Sequence, residues 1–154
     1  MMEKIGVFPG SFSPFSLGHN AIVESALKLF DRVIIAVGKN PKKEEYFTIE
    51  QRLSWINMVY KNNQRVVVLD YKGLTIEFCE EVNAKFIIRG LRDSKDFIYE
   101  NKIAQINKKL NNHIETIFII TPPKLSHISS SFLRELHMHN KDISEFVPKE
   151  IKIK

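Results

Sequence analysis

Chemistry in this sequence concentrates first in Pro9-Gly10-Ser11-Phe12-Ser13-Pro14-Phe15-Ser16-Leu17-Gly18-His19, which follows the short apolar run Ile5-Gly6-Val7-Phe8. A glycine-containing turn lets backbone N–H groups approach phosphate oxygens, and a helix starting behind it adds partial positive charge. His19 at such a helix start can donate a hydrogen bond to a phosphate oxygen as negative charge builds during group transfer. A plainer role stands beside this one, in which Gly18 only makes a turn and His19 only caps or packs.

A second group, Arg89-Gly90-Leu91-Arg92, follows the apolar Phe86-Ile87-Ile88. Guanidinium forks bind two phosphate oxygens at once and keep their charge at any working pH, although two arginines three positions apart can also be a solvated surface pair. The third group is Ser126-His127-Ile128-Ser129-Ser130-Ser131. Ser129 suits an N-cap, and the free N–H groups of the helix start behind it suit an anion. Lys42 and Lys43 lie in a polar loop where a cation can neutralise phosphate or simply be solvated. Near a later helix start, Glu100 suits a ribose hydroxyl or an arginine partner, while Asp96 and Tyr99 carry no sharper assignment.

The elements that must position these groups alternate. Ile5 to Phe8 reads as a buried strand, and Ala21, Ile22, Ala26, Leu27 and Phe30 recur at helical spacing before the β-branched run Val33 to Val37. Thr48 with Gln51 predicts a capping box and a helix to about Tyr60, followed by a strand at Val66 to Leu69. Helices over Thr75 to Val82, Asp96 to Leu110 and Ser129 to His137 alternate with strands at Phe86 to Ile88 and Ile117 to Ile120. This rhythm predicts an α/β fold with a doubly wound five-stranded parallel sheet and ligands beyond the carboxyl ends of its strands. All three phosphate-suited groups fall on that rim. With 154 residues and no linker-like stretch, residues 1–154 are expected to form one domain. Beyond Asn140, Asp142 to Phe146 suits a helical turn, and the final Ile-Lys-Ile-Lys is expected to pack on a neighbour or fray.

Several classes drop out. There is no G-x-x-x-x-G-K-[ST] pattern and no G-x-G-x-x-G fingerprint, which argues against kinases and dehydrogenases of those types. Cys79 is the only cysteine, so it reads as core filler, and an internal disulfide or a multi-cysteine zinc site is excluded. His113, His137 and His139 lack metal-ligand spacing and read as surface residues; no protein-held metal is expected. No stretch approaches the length of a membrane span, and the opening Met1-Met2-Glu3-Lys4 leads into an apolar segment too short for a signal peptide, so a cytoplasmic protein without a membrane partner is the expectation. The net charge of +5 suits a polyanionic small molecule as well as it suits RNA, but the basic residues are dispersed and no RNA-binding motif is present.

Taken together, Pro9-Gly10-Ser11-Phe12, Gly18-His19, Lys43, Phe47-Thr48, Arg89-Gly90-Leu91-Arg92, Tyr99-Glu100 and Ile128-Ser129-Ser130-Ser131 resemble the bacterial phosphopantetheine adenylyltransferases of the nucleotidyltransferase superfamily. The resemblance runs over nearly the whole chain and implies a Rossmann-like nucleotidyltransferase fold. It implies attack of 4'-phosphopantetheine on the α-phosphorus of ATP, with Mg2+ assisting and no covalent enzyme intermediate. Products would be 3'-dephospho-coenzyme A and pyrophosphate, as a step in coenzyme A biosynthesis. It further implies that His19 steadies the transition state and contacts ATP together with Ser11, Phe12, Gly90, Leu91, Arg92, Glu100, Leu125, Ser126, His127, Ile128, Ser129, Ser130 and Ser131. Ser11, Lys43, Thr75 and Arg89 would face the acceptor, and a homohexamer would be the working form.

The chain departs from that family at Ser11 and Ser16, where Thr is common, at Ser13, where Asp is common, and at Leu125, often Trp. Ser13 removes a carboxylate from the phosphate end and Leu125 an aromatic surface from the nucleotide. Rival readings are a related transferase using nicotinamide mononucleotide or CTP, a nucleotide binder without catalysis, and an RNA-binding protein whose affinity falls with salt.

Overall fold

The computed structural model describes residues 2–42 and 44–154. Five strands, β1 (Ile5–Gly10), β2 (Arg32–Gly38), β3 (Val66–Tyr71), β4 (Phe86–Leu91) and β5 (Glu115–Ile120), alternate with helices α1 (Leu17–Ala26), α2 (Ile49–Tyr60), α3 (Thr75–Glu81) and α4 (Ser94–Leu110). Helix α5 (Ser130–Met138) follows β5, with short 3-10 turns at Pro123–Leu125 and Ser144–Phe146. All pairings are parallel, and the strand order β3-β2-β1-β4-β5 reverses direction between β1 and β4. That reversal is the crevice at which doubly wound sheets hold ligands, so the expected fold class is observed.

Residues adjacent along a strand face opposite sides of the sheet, and the central strands are apolar on both. Phe8, Val33, Ile35 and Ile88 join a core with Ile22, Val23 and Ala26 of α1, Ile56 of α2 and Leu133 of α5. Val7, Ile34, Ala36 and Ile87 face the other way, against Ile76, Phe78 and Cys79 of α3. Burial raises the Cys79 thiol to about 12, as befits inert core filler. Helix α4 differs from the others: its only buried residue is Glu100. It stands off from the sheet, and Ile103, Ala104 and Asn107 line a cavity of about 710 Å³ that reaches Ile87 of β4 and Thr116 of β5.

The Thr48–Gln51 capping box and the Ser129 cap are present as expected. One boundary moves in a way that matters for the site, the end of β4, while the start of α1 falls where His19 was expected to stand. Parallel pairing of Arg89 with Phe118, Gly90 with Ile119 and Leu91 with Ile120 extends β4 through residues expected to follow it. Helix α1 begins at Leu17, so Gly18 and His19 lie in its first turn. Of the two outcomes left open for the carboxyl-terminal tail, packing is observed and fraying is not: Ile151 is buried in the core with Ile143 and Val147, and Ile153 packs against them. His137, expected as a surface residue, is half-buried between the Tyr46 hydroxyl at 2.6 Å and the Lys154 backbone carbonyl at 2.8 Å, since the loop before α2 folds back over α5. No helix among the described residues is long and apolar enough to cross a membrane.

Among the described residues, one fully buried side chain is charged. Arg52 of α2, 1% exposed, donates to the carbonyls of Ser11 (2.7 Å), Gly38 (3.1 Å), Phe47 (3.2 Å) and Thr48 (3.3 Å) and pairs with Glu45. It joins the carboxyl ends of β1 and β2 to the start of α2. Removing one partner of a buried ion pair leaves the other charge and its acceptors uncompensated, at a cost of about 3 to 5 kcal/mol. Arg52→Met is therefore expected to lose about 3 kcal/mol of stability in urea unfolding; a loss below about 1 kcal/mol, the range of an exposed ion pair, would show that the buried network does not stabilise the rim.

Candidate active site

His19 is both a cap and a candidate catalytic group, and the two roles support each other. The Ser16 hydroxyl accepts from the His19 backbone N–H (3.3 Å), while the Ser16 backbone N–H donates to His19 Nδ1 (3.0 Å). A ring nitrogen that accepts from a backbone amide carries no proton, so the neutral ring bears its proton on Nε2. The ring lies among Phe12 at 4.9 Å, Phe15 at 5.4 Å and Phe8 at 6.2 Å between centroids. Burial chiefly, then the Arg89 and Arg92 guanidiniums, lowers its pKa to about 3. His19 is thus an uncharged hydrogen-bond donor at neutral pH and a poor base.

Arg89 stands in β4 and Arg92 directly after it, and both line the same cavity as His19. Arg89 forms a two-pronged pair with Glu100, through Nε at 2.8 Å and Nη2 at 2.6 Å, and donates from Nη1 to the Pro9 carbonyl at 2.6 Å. Of the two roles open to Glu100, the arginine contact is the one observed. Arg92 pairs with Asp96 (3.1 Å) and donates to the Ile128 carbonyl (3.3 Å), tying the end of β4 to the approach to α5. Burial alone would raise the Asp96 carboxyl, but its hydrogen bonds from Arg92 outweigh that and hold it below the usual carboxylate range. Between the arginines, Gly90 has no room for a side chain: a Cβ there would stand 2.8 Å from Ile22 Cγ1. That contact lets α1, and His19 with it, lie close against β4. A Cβ on Gly18 would meet protein atoms only at 3.5 Å or more, so the space beside it belongs to the cavity rather than to packing.

Around the end of β1, carbonyls are satisfied by side chains from several elements. Pro9 accepts from Arg89, Ser11 from Arg52, Ser13 from Arg134 of α5 (2.6 Å) and Pro14 from Ser130 of α5 (2.8 Å). A free carbonyl repels an anion. With these engaged, the donors of the segment are better matched to phosphate. Arg52 and Arg134 fall in none of the motifs that the sequence presents, and nothing local in the sequence marks the carbonyls they serve.

Two cavities meet at this segment. The smaller, about 310 Å³, is lined by His19, Gly90, Arg92 and Ser129 to Ser131. The larger, under α4, is lined by Thr75 and Arg134 among others, with the Thr75 hydroxyl 2.9 Å from that of Tyr71. Pro9, Gly10, Ser11, Arg89 and Glu100 border both. Phe12 and Ile128 line the smaller cavity but are buried, so they offer it mainly backbone. Leu91, Leu125, Ser126 and His127 do not line it: Leu125 packs on the core, and the Ser126 hydroxyl donates to the Pro123 carbonyl. Lys43 lies outside the described residues. The arrangement suits two anionic reactants, one per cavity, brought together at a shared wall.

The depressed His19 pKa has a checkable consequence. Nitrogen-15 spectra of the histidine rings are expected to show His19 neutral, protonated on Nε2, from pH 8 down to about pH 5. A titration near 6.5, or a proton on Nδ1, would contradict the capping geometry. Because the folded pKa is lowered, the unfolded chain binds the proton first, so this group favours unfolding as pH falls from about 6.5 towards about 3.

Comparison with known proteins places this geometry. Residues 7–136 match the cytidylyltransferase-like family model. The chain is 49% identical over 150 residues to a phosphopantetheine adenylyltransferase of Cytophaga hutchinsonii, covering 97% of this chain and 100% of that protein. It is 49% identical over 147 residues to the one of Bacteroides thetaiotaomicron, covering 96% and 97%. A crystal structure from Vibrio parahaemolyticus, provisionally described as a nicotinate-nucleotide adenylyltransferase, shares the fold with a TM-score of 0.71 at 23% identity, covering 97% of this chain and 96% of that one. The five-stranded parallel sheet, the two adjoining anion-suited cavities and near full-length identity to these relatives converge: the chain belongs to the phosphopantetheine adenylyltransferase family of cytidylyltransferase-like nucleotidyltransferases.

Proposed function

We propose that this protein transfers the adenylyl group of ATP to 4'-phosphopantetheine, giving 3'-dephospho-coenzyme A and pyrophosphate in coenzyme A biosynthesis. The carrying observation is the pair of cavities sharing the Pro9 to Ser11 wall and Arg89, with a neutral, Nε2-protonated His19 on the smaller one. ATP occupies the smaller cavity, held by Ser11, the Phe12 backbone, His19, Gly90, Arg92, Glu100 and the segment Ile128 to Ser131 that line it. The acceptor occupies the larger, facing Ser11, Lys43, Thr75 and Arg89.

A phosphate oxygen of the acceptor attacks the α-phosphorus, the bond from that phosphorus to the bridging oxygen breaks, and pyrophosphate leaves with the electron pair. The attacking phosphate monoester is already ionised, so no general base is required, which agrees with the low basicity of His19. His19 instead donates from Nε2 to an α-phosphate oxygen as charge builds there, and the arginines orient the reactants; positioning and charge stabilisation carry such transfers. Among the described residues no three His, Cys, Asp or Glu side chains gather as metal ligands. Magnesium would enter with ATP as part of that substrate and would neutralise phosphate charge during the transfer.

In this reading, residues 1–154 act as one nucleotidyltransferase domain in the cytoplasm, with neither nucleic acid nor membrane as a partner. Self-association completes it. Helix α4 exposes Phe97, Ile98, Tyr99, Ile106 and Leu110, and edge strand β5 exposes Ile120 at 78%, an apolar surface of the kind that copies of a chain cover in assemblies. Ile106→Glu combined with Ile120→Glu is expected to convert a homohexamer into smaller species in sedimentation velocity; an unchanged distribution would move the interface elsewhere.

The deciding assay is pyrophosphate release with ATP, magnesium and 4'-phosphopantetheine, with nicotinamide mononucleotide as parallel acceptor. Turnover with phosphopantetheine alone is expected, and turnover with the mononucleotide alone would reassign the acceptor. His19→Ala is expected to lower kcat about 100- to 1,000-fold with ATP KM changed only a few-fold; a variant with wild-type kcat would remove His19 from the mechanism.

A further inference from the structure

We infer that Arg134 of α5 is a further binding residue for the acceptor, contacting the phosphate monoester that enters the larger cavity. The inference rests on the acceptor reading above. It follows from how the cations of that cavity are already engaged.

The cavity's described lining holds four cations, Lys39, Arg52, Arg89 and Arg134, and three carboxylates, Glu44, Glu45 and Glu100. Arg52 is buried, paired with Glu45 and bonded to four carbonyls. Arg89 has its charge answered by both oxygens of Glu100. Lys39 and Arg134 have no carboxylate partner among the described residues, but of the two only Arg134 is held in place by its side chain, through a hydrogen bond from Nη1 to the Ser13 carbonyl at 2.6 Å. A guanidinium has five N–H donors, so most of this fork remains for a ligand while the Ser13 bond restrains it. Without Arg134 the described lining would have as many carboxylates as cations, a poor environment for a dianion. The residue it bonds to, Ser13, is uncharged, so the guanidinium meets no competing carboxylate there. Arginine also suits phosphate better than a lone ammonium does, because its fork meets two oxygens.

The test compares binding of 4'-phosphopantetheine and of pantetheine, which lacks the phosphate, by isothermal titration calorimetry to the wild-type protein, Arg134→Ala and Arg134→Lys. Thermal unfolding and ATP KM are measured alongside. Arg134→Ala is expected to weaken phosphopantetheine binding about tenfold to a hundredfold and to leave pantetheine binding and ATP KM within about twofold. Arg134→Lys is expected to recover part of the loss, since it keeps the charge but not the fork. Equal weakening of both acceptors, or an equal rise in ATP KM, would mean that Arg134 only ties α5 to the Ser13 carbonyl and would overturn the inference. So would wild-type affinities in Arg134→Ala, provided that the unmutated protein releases pyrophosphate with phosphopantetheine. An unmutated protein that does not do so overturns the acceptor reading and this inference with it.

Discussion

A segment that receives phosphate must not present free carbonyl oxygens to it, and that electrostatic constraint organises the working end of this protein. The carbonyls of Pro9, Ser11, Ser13 and Pro14 accept hydrogen bonds from Arg89 of β4, Arg52 of α2 and Arg134 and Ser130 of α5. Each donor comes from a different part of the fold or a different turn of a helix. The central strand can therefore be arranged for anions only after the elements on both sides of it have docked. Arg52 shows how stringent this is, because a buried guanidinium is tolerated only when its charge and donors are matched, and every group that matches it lies on the rim.

The same logic explains a histidine that is kept neutral beside two arginines. Among aromatic rings and within the field of Arg89 and Arg92, a protonated imidazole would be doubly disfavoured. Capping by Ser16 then decides which nitrogen carries the single proton. The outcome is a fixed dipole rather than a titrating group, which suits the proposed role of meeting charge that would appear only as the α-phosphorus reacts. Preorganisation of this kind is effective because the dipole does not have to reorient at the moment of reaction.

The sheet supplies the second economy of the design. Its central strands are sealed on both faces, but α4 buries only Glu100 and leaves a hollow between itself and the strands. Glu100 turns that hollow into part of the site by holding Arg89 at the border between the two cavities. The apolar residues that α4 leaves exposed are the counterpart of this poor packing: a helix that does little for the core of its own chain has surface to offer another.

Much was legible in the sequence because it is local. β-branched runs, helical spacing, the Thr48–Gln51 box and the Ser129 cap depend on residues a few positions apart, and together they determined the order of elements, the parallel sheet and the rim on which His19, Arg89, Arg92 and the serines fall. The family resemblance was legible for the same reason, since its motifs are short segments at strand ends. Tertiary structure alone decided which cations are engaged by carboxylates, that the His19 ring is buried within the field of two arginines, and that Arg52 and Arg134 reach the rim at all. The contacts responsible join residues 41, 80 and 121 positions apart. Burial, field and partner identity are properties of the packed chain, and no local spacing encodes them.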